Sequence, residues 1–339
     1  MEKTEKKTKK PVTTEIEELI EAYVQQVFDP NEMVEAIKTI SSEIVKKALE
    51  GFKPAAGGAS ELKIRIGQKP EIKIGQQPKE FEDVLTLAAN GIPCLMVGPA
   101  GTGKGTMARE AAKALEAEFF EVNAVQNSYE LTGFMDANSH YVETPFYSAC
   151  KAVTSGKKAV FLFDEIDCST PECLKVFNEA LSSFEFTFPN NEHLEFENLV
   201  IIAASNTYCT GATSQYVGNQ LDGSTLDRFA VVDVEYDYDT ELAITGNDKE
   251  LVDFVEAFRA ACAECHLDFI CSYRSLKRLA TMKTAMNLKK VLKTCFIKSM
   301  ALDDLQMILN TVTMKTHKSL WKKTAEALLK EDSKIEVVA

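Results

Sequence analysis

Cys94-Leu95-Met96-Val97-Gly98-Pro99-Ala100-Gly101-Thr102-Gly103-Lys104-Gly105-Thr106 decides how this chain is read. Four apolar residues predict a buried strand, and the loop that follows opens into a stretch with helical spacing. A glycine-rich loop in that context turns its backbone N–H groups inward around a phosphate. The start of the helix adds partial positive charge. Lys104 is spaced to reach the outer phosphates of a nucleotide, and Gly98, Pro99, Ala100, Gly101, Thr102, Gly103, Gly105 and Thr106 complete the cradle. One position departs from the usual pattern. The residue after the lysine is ordinarily Ser or Thr, whose hydroxyl binds Mg2+. Here it is Gly105, and the first hydroxyl belongs to Thr106, which leaves Thr106 as the closest candidate for a phosphate or water-mediated metal contact.

Working outward, short apolar runs at Phe119–Val122, Ala159–Phe163, Leu199–Ala203 and Val231–Val234 alternate with helical stretches. That alternation predicts a buried parallel sheet in an α/β fold. The run Ala159–Phe163 ends in Asp164-Glu165. Phosphoryl transfer needs positioning and charge neutralisation, so Asp164 suits the Mg2+ shell while Glu165 orients and deprotonates a water. The run from Leu199 ends near Asn206, an amide placed to touch the terminal phosphate or that water. Arginine occurs only at positions 65, 109, 228, 259, 274 and 278. Between Arg109 and Arg259 only Arg228 remains, so it leads as an arginine finger, a group worth on the order of 10³–10⁵ in rate. Arg274 starts a helix in the later, all-helical region and can approach the nucleotide from there.

At 339 residues the chain has room for about two domains. Residues 1–60 read as a charged tail, two helical patterns forming an arm, and a Gly/Ala linker. Leu62–Ile66 and Glu71–Ile74 read as a hairpin, and 61–240 as the nucleotide-binding core. Residues 241–339 read as a helical lid, with helices over Leu251–Cys265, Ser275–Met286, Leu288–Met300, Leu302–Val312 and Leu320–Leu329. The net charge of −13 argues against non-specific nucleic-acid binding, which needs a positive field. No apolar run of about 18 residues predicts a membrane span. Nine cysteines without paired spacing, behind a charged N-terminus, suggest a reducing, cytoplasmic setting. Cys262-Ala263-Glu264-Cys265-His266 matches a haem-attachment pattern, but reads more simply as the end of a helix. His140, His193 and His317 read as isolated surface residues.

In order, these landmarks resemble those of AAA+ ATPases: the loop resembles Walker A, Asp164-Glu165 Walker B, Asn206 sensor one, Arg228 the finger and Arg274 sensor two. The GKGT run itself is similar to the loop of adenylate kinases. Within AAA+ proteins the resemblance is to the MoxR-like group, which includes the ATPase subunit of cobalt chelatase, the nitric-oxide-reductase activation ATPase and related phage ATPases. Tyr129–Phe134 through Thr144-Pro145-Phe146, Glu185–Pro189 through Leu194-Glu195-Phe196, and Gln215-Tyr216-Val217-Gly218 before Leu226-Asp227-Arg228-Phe229 carry it. The resemblance implies ATP and Mg2+ as cofactors, a hexameric ring of identical subunits with Arg228 acting in trans, and remodelling of a protein client. A separate partner bearing a von Willebrand A domain often accompanies such rings. Phe134 and Met135 are then client contacts. The alternative is an assembly scaffold that binds nucleotide and hydrolyses it weakly, with Gly105 as the cause. A nucleotide kinase needs more core arginines than this chain has, and a DNA motor sits poorly with its acidity.

Overall fold

The computed structural model describes residues 62–64, 72–74, 76–298 and 300–335. The arm expected in residues 1–60 lies outside them. Strands β1 (Leu62–Ile64) and β2 (Ile72–Ile74) pair antiparallel, as the two alternating runs predict. Helix α1 (Phe81–Ala89) follows, then β3 (Cys94–Val97), α2 (Lys104–Ala114) and β4 (Glu118–Val122). A short helix α3 (Ser128–Thr132) leads to the hairpin β5 (Phe134–Met135) and β6 (Tyr141–Val142), then to α4 (Pro145–Thr154). Next come β7 (Ala159–Phe163), α5 (Pro171–Ser183), the hairpin β8 (Glu185–Thr187) and β9 (His193–Glu195), β10 (Val200–Ser205), a short helix α6 (Gly223–Leu226), and β11 (Ala230–Asp233).

Five strands form one parallel sheet in the order β11-β3-β10-β7-β4. From β3 the chain crosses to the far edge at β4, steps back through β7 and β10, and then passes β3 to end at β11 on the opposite edge, so the connection leaving β3 runs one way and the later ones the other. Crevices at such switch points are where open α/β sheets take ligands. Each strand alternates its side chains between the two faces. Cys94, Met96, Val160, Leu162, Ile202 and Ala204 face α1 and α2. Ala108, Ala111, Ala112 and Ala114 line the buried side of α2, and their small size lets that helix lie close to the strands. Leu95, Val97, Phe161, Phe163, Ile201 and Ala203 face the other way, against α4 and α5. There Phe146 meets Phe161 and Phe177 at 5.1 and 5.6 Å between ring centres, an aromatic contact of the favourable tilted kind. Burying each such ring contributes roughly 1.5–3 kcal/mol.

The remaining helices build a separate hydrophobic cluster. Helices α7 (Tyr238–Thr245), α8 (Lys249–Glu264) and α9 (Tyr273–Met282) pack with later helices around Phe254, Phe258, Phe296 and Trp321. The expected boundary at 240/241 falls inside α7. All five expected helices differ in their bounds, and α8 runs over Lys249–Glu264 rather than Leu251–Cys265. Helix α9 starts at Tyr273, because the Ser272 side chain caps it by accepting from Ser275 N, and it stops at Met282. The single helix expected over Leu288–Met300 is α-helical only over Leu288–Val291, then widens into π-helix over Leu292–Ile297. The wider turn puts Val291, Leu292, Phe296 and Ile297 into the core at a five-residue spacing that an α-helix would not align. Thr311 breaks the next expected helix into Leu302–Asn310 and Val312–Thr316 by capping the second piece through Met314 N. The last helix runs past Leu329 to Ile335. Among the described residues no helix is long and apolar enough to cross a membrane.

Candidate functional site

The phosphate-binding loop leaves the carboxyl end of β3, Asp164-Glu165 leaves β7, and Asn206 leaves β10, which lies between them. The register pairs Ser205 with Val97 and Ala203 with Phe163, so the three strand ends stop at nearly one level. Two glycines shape the loop. Gly98 has φ 146°, and a Cβ there would sit 2.0 Å from the Val234 carbonyl oxygen. Gly101 has φ 78°, and its Cβ would meet Ser272 Cβ at 2.5 Å. The loop is thus pressed between β11 and the start of α9, where only glycine fits.

Lys104 is buried and opens α2. Its ammonium donates to the carbonyls of Gly98 at 2.7 Å and Pro99 at 3.0 Å, and to Asn206 Oδ1 at 2.9 Å. Burial pulls the Lys104 pKa down to about 8, partly opposed by the negative charges of Asp164 and Asp167. Asp164 is half-buried and accepts the Glu165 N–H through Oδ1 at 3.1 Å. Glu165 is exposed and holds a left-handed backbone, φ 51° and ψ 42°. A non-glycine residue held there costs of order 1–3 kcal/mol, and such positions concentrate at functional sites.

One cavity of about 510 Å³ gathers these groups. Its walls include Ala100 to Thr106, Asp164, Glu165, Asn206 and Arg274. Arg274 is exposed in the first turn of α9, and Lys277 joins it one turn later. Arg228 is not part of this wall. It lies beyond α6, where its guanidinium donates to the Ser224 carbonyl and to Ser182 Oγ at 2.8 Å. Gly98 and Pro99 begin the loop but are not part of the wall.

The sequence assigned no role to one lining group, Arg109, or to two tyrosines that hold the loop from outside the wall. Arg109 sits one turn beyond Thr106 on α2, pairs with Glu121, and lies 4.8 Å from the Phe119 ring centre. Its spacing of three from Thr106 was the available signal. Tyr236 and Tyr216 hold the loop by their hydroxyls. Tyr236 donates to the Ala100 carbonyl at 2.9 Å, and Ala100 N donates to Tyr216 at 3.1 Å. Those contacts join residues more than a hundred positions apart, and no local pattern announces them.

The residues fit a nucleotide triphosphate: a glycine cradle, a buried ammonium and a helix N-terminus supply the positive side, while Asp164 supplies a carboxylate for a cation. The histidine readings are corrected in part. His193 is exposed but not isolated, with Nε2 3.6 Å from Glu185 Oε2 and Glu195 close by. His317 is half-buried, packed at 6.2 Å from the Phe254 ring, rather than a surface residue. Cys262 is buried in the helical cluster with its thiol pushed up to about 12, and Cys265 only ends α8. That is the helix-end reading of the pattern.

Residues 93–229 match the AAA domain family, dynein-related subfamily. The fold is α/β, a five-stranded parallel sheet flanked by helices with further helices after it. Over 122 residues the chain is 32% identical to the chaperone protein ClpB 2 of Thermosynechococcus vestitus, a match covering 33% of this chain and 13% of that relative. The chain therefore spans only a small part of the length of that relative. Among solved structures, a RuvB mutant from Thermotoga maritima aligns at 14% identity and TM-score 0.34, over 74% of this chain and 68% of that one. The closed state of Hsp104 with ATPγS and FITC casein aligns at 19% identity and TM-score 0.41, over 67% and 45%.

Proposed function

We propose that this chain is an ATP-binding, ATP-hydrolysing AAA+ ring ATPase of the MoxR-like kind, which remodels a protein client. One observation carries the reading: Lys104, Asp164, Glu165, Asn206 and Arg274 line a single cavity at the carboxyl ends of three adjacent strands. The loop amides and Lys104 hold the phosphates. Asp164 and Thr106, both in the cavity wall, would hold the shell of a Mg2+ ion, which would supply charge neutralisation at the phosphates. Glu165 orients a water and takes its proton, and Asn206 fixes that water or the terminal phosphate. Arg274 brings positive charge from the lid.

Arg228 belongs to the same mechanism as a group offered to the site of a neighbouring copy. Its distance from its own chain's cavity wall supports that role, because a finger acting in trans has no place in its own site. An isologous dimer could not use it around a circle; a head-to-tail contact that closes into a ring could. The client surface is the hairpin region, where Tyr129, Phe134, Met135 and Val142 are between 41% and 49% exposed. Tyr129 and Phe134 meet edge to face at 5.7 Å, so two large rings stand together in solvent. Exposed apolar groups clustered in this way mark interaction sites. A von Willebrand A partner and a cytoplasmic setting complete the proposal.

The scaffold reading stays open on a single feature, Gly105, where a hydroxyl for the metal is missing. Steady-state ATPase activity with Mg2+, measured with oligomer size on the same samples, separates the two. Turnover in a ring that is lost in Glu165→Gln and in Arg228→Ala supports the motor. Nucleotide binding and assembly without turnover in the wild type would replace it with the scaffold.

A further inference from the structure

We propose that Asp167 is a positioning residue which fixes Asn206 and the segment Tyr216–Asn219 against the phosphate-binding loop; this rests on the ATPase reading of that site. Asp167 is 1% exposed and sits in the short 3-10 turn Ile166–Cys168 just after the acidic pair. Its Oδ2 accepts from the hydroxyl of Thr207, a buried residue directly after Asn206. Its backbone carbonyl accepts from Asn219 N at 2.6 Å. Around it the clasp continues: Asn219 Nδ2 donates to the Ser169 carbonyl at 2.9 Å, and the Cys168 thiol donates to the Val217 carbonyl at 3.1 Å. A Cβ on Gly218 would lie 2.8 Å from Thr207 Cγ2 and 2.9 Å from Asp167 Oδ2, so this backbone is pressed onto both side chains. The far end of the segment delivers the Tyr216 hydroxyl to Ala100 N.

One buried carboxylate therefore joins the ends of β7 and β10 to the first turn of the phosphate-binding loop. Packing alone gives no reason for a charge here. Its Oδ1 is buried with no hydrogen-bond partner among the described residues, and leaving a buried acceptor unpaired costs roughly 1–3 kcal/mol. A hydrogen bond to an ionised acceptor is roughly twice as strong as a neutral one. The carboxylate thus offers a stiffer anchor for Thr207, and through it for the neighbouring Asn206, at a net loss in packing. Its negative charge also favours the Lys104 ammonium that Asn206 accepts from.

The test uses Gly218→Ala and Thr207→Val in the full chain, neither of which lines the cavity. Gly218 has no left-handed backbone, so alanine adds only the pressing methyl. Binding of a fluorescent ADP analogue should stay within about threefold, while kcat falls about tenfold, a loss of 1.4 kcal/mol in transition-state stabilisation. Asp167→Asn, which keeps an acceptor for Thr207, should retain more kcat than Asp167→Ala at equal folded content. Folded variants with unchanged kcat would overturn the proposal. Should the wild type not turn over, the ATPase reading fails by itself, and a crystal structure of Gly218→Ala still decides this inference. The Lys104 Nζ to Asn206 Oδ1 separation of 2.9 Å should then open beyond hydrogen-bond reach; an unchanged separation overturns the positioning role.

Discussion

Lys104 shows how far one residue can set the working range of the site. Burial disfavours its ammonium and brings its pKa down to about 8. Phosphates pair with the charged form, so binding above that pH must take up a proton. Nucleotide affinity should be flat below about pH 8 and weaken by up to about tenfold per pH unit above it. Titrations with ADP at pH 7 and pH 9 check this, and equal affinity at both would place the Lys104 pKa higher. Gly105 gives a second residue-scale prediction. A Cβ there would meet only Leu162 Cδ2, at an ordinary 3.9 Å, so the position has room for a hydroxyl side chain. Serine in a helix is also more favourable than glycine by roughly 0.5 kcal/mol. Gly105→Ser should fold as well as the wild type and need less Mg2+ for half-maximal turnover. An unchanged Mg2+ requirement would clear Gly105 of limiting the metal.

Between elements, the helices that follow the sheet are tied to it through a small polar network. Arg259 of α8 pairs with Glu241 of α7, donates to the Cys271 carbonyl at 3.0 and 3.1 Å, and stacks 4.1 Å from the Tyr236 ring centre. Tyr236 in turn reaches the phosphate-binding loop at Ala100. Glu241 is fully buried, and burial raises its pKa even against the guanidinium. Arg259→Met would strand that charge and should lower unfolding stability by about 3–5 kcal/mol; adding Glu241→Gln should restore much of it. Chemical denaturation of the single and double variants reads both numbers, and equal stability of the two would mean the pair is not coupled. This network also marks where the sequence stops being legible. The sheet strands could be read because each carries a short apolar run, continuous and buried in β3, β7 and β10, and the cradle because glycines at fixed spacing have few other uses. The glycine and acidic landmarks lie on strand ends, so once the sheet is ordered they converge. The lid gave weaker signals. Its helices carry similar apolar periodicity whether they run α or π, so the widening at Leu292–Ile297 depends on tertiary packing that no local spacing reveals. Tyr216, Tyr236, Asp167 and Arg259 act across long stretches of chain, and no local spacing points to their partners.

For the whole molecule, the two ends of the proposed mechanism sit in different places. Glu165 faces its own cavity, while Arg228 stands outside it, bound to Ser182 and Ser224. A ring with head-to-tail contacts makes sense of that separation, since each site then takes Glu165 from one copy and Arg228 from the next. Pure Glu165→Gln lacks the first group in every site, and pure Arg228→Ala lacks the second. In an equal mixture, a site is complete when its own copy carries Glu165 and the neighbour carries Arg228. With random exchange about one site in four meets both conditions, so mixing two inactive proteins should recover up to about a quarter of wild-type turnover. A finger acting within one chain leaves no complete site in any mixture, and activity then stays at the level of the separate variants. Recovery that needs time for subunit exchange, and that vanishes when the rings are cross-linked before mixing, would tie the rate to the interface. Recovery absent after proven exchange would return Arg228 to a structural role beside Ser182 and leave the finger to be sought among the few remaining arginines.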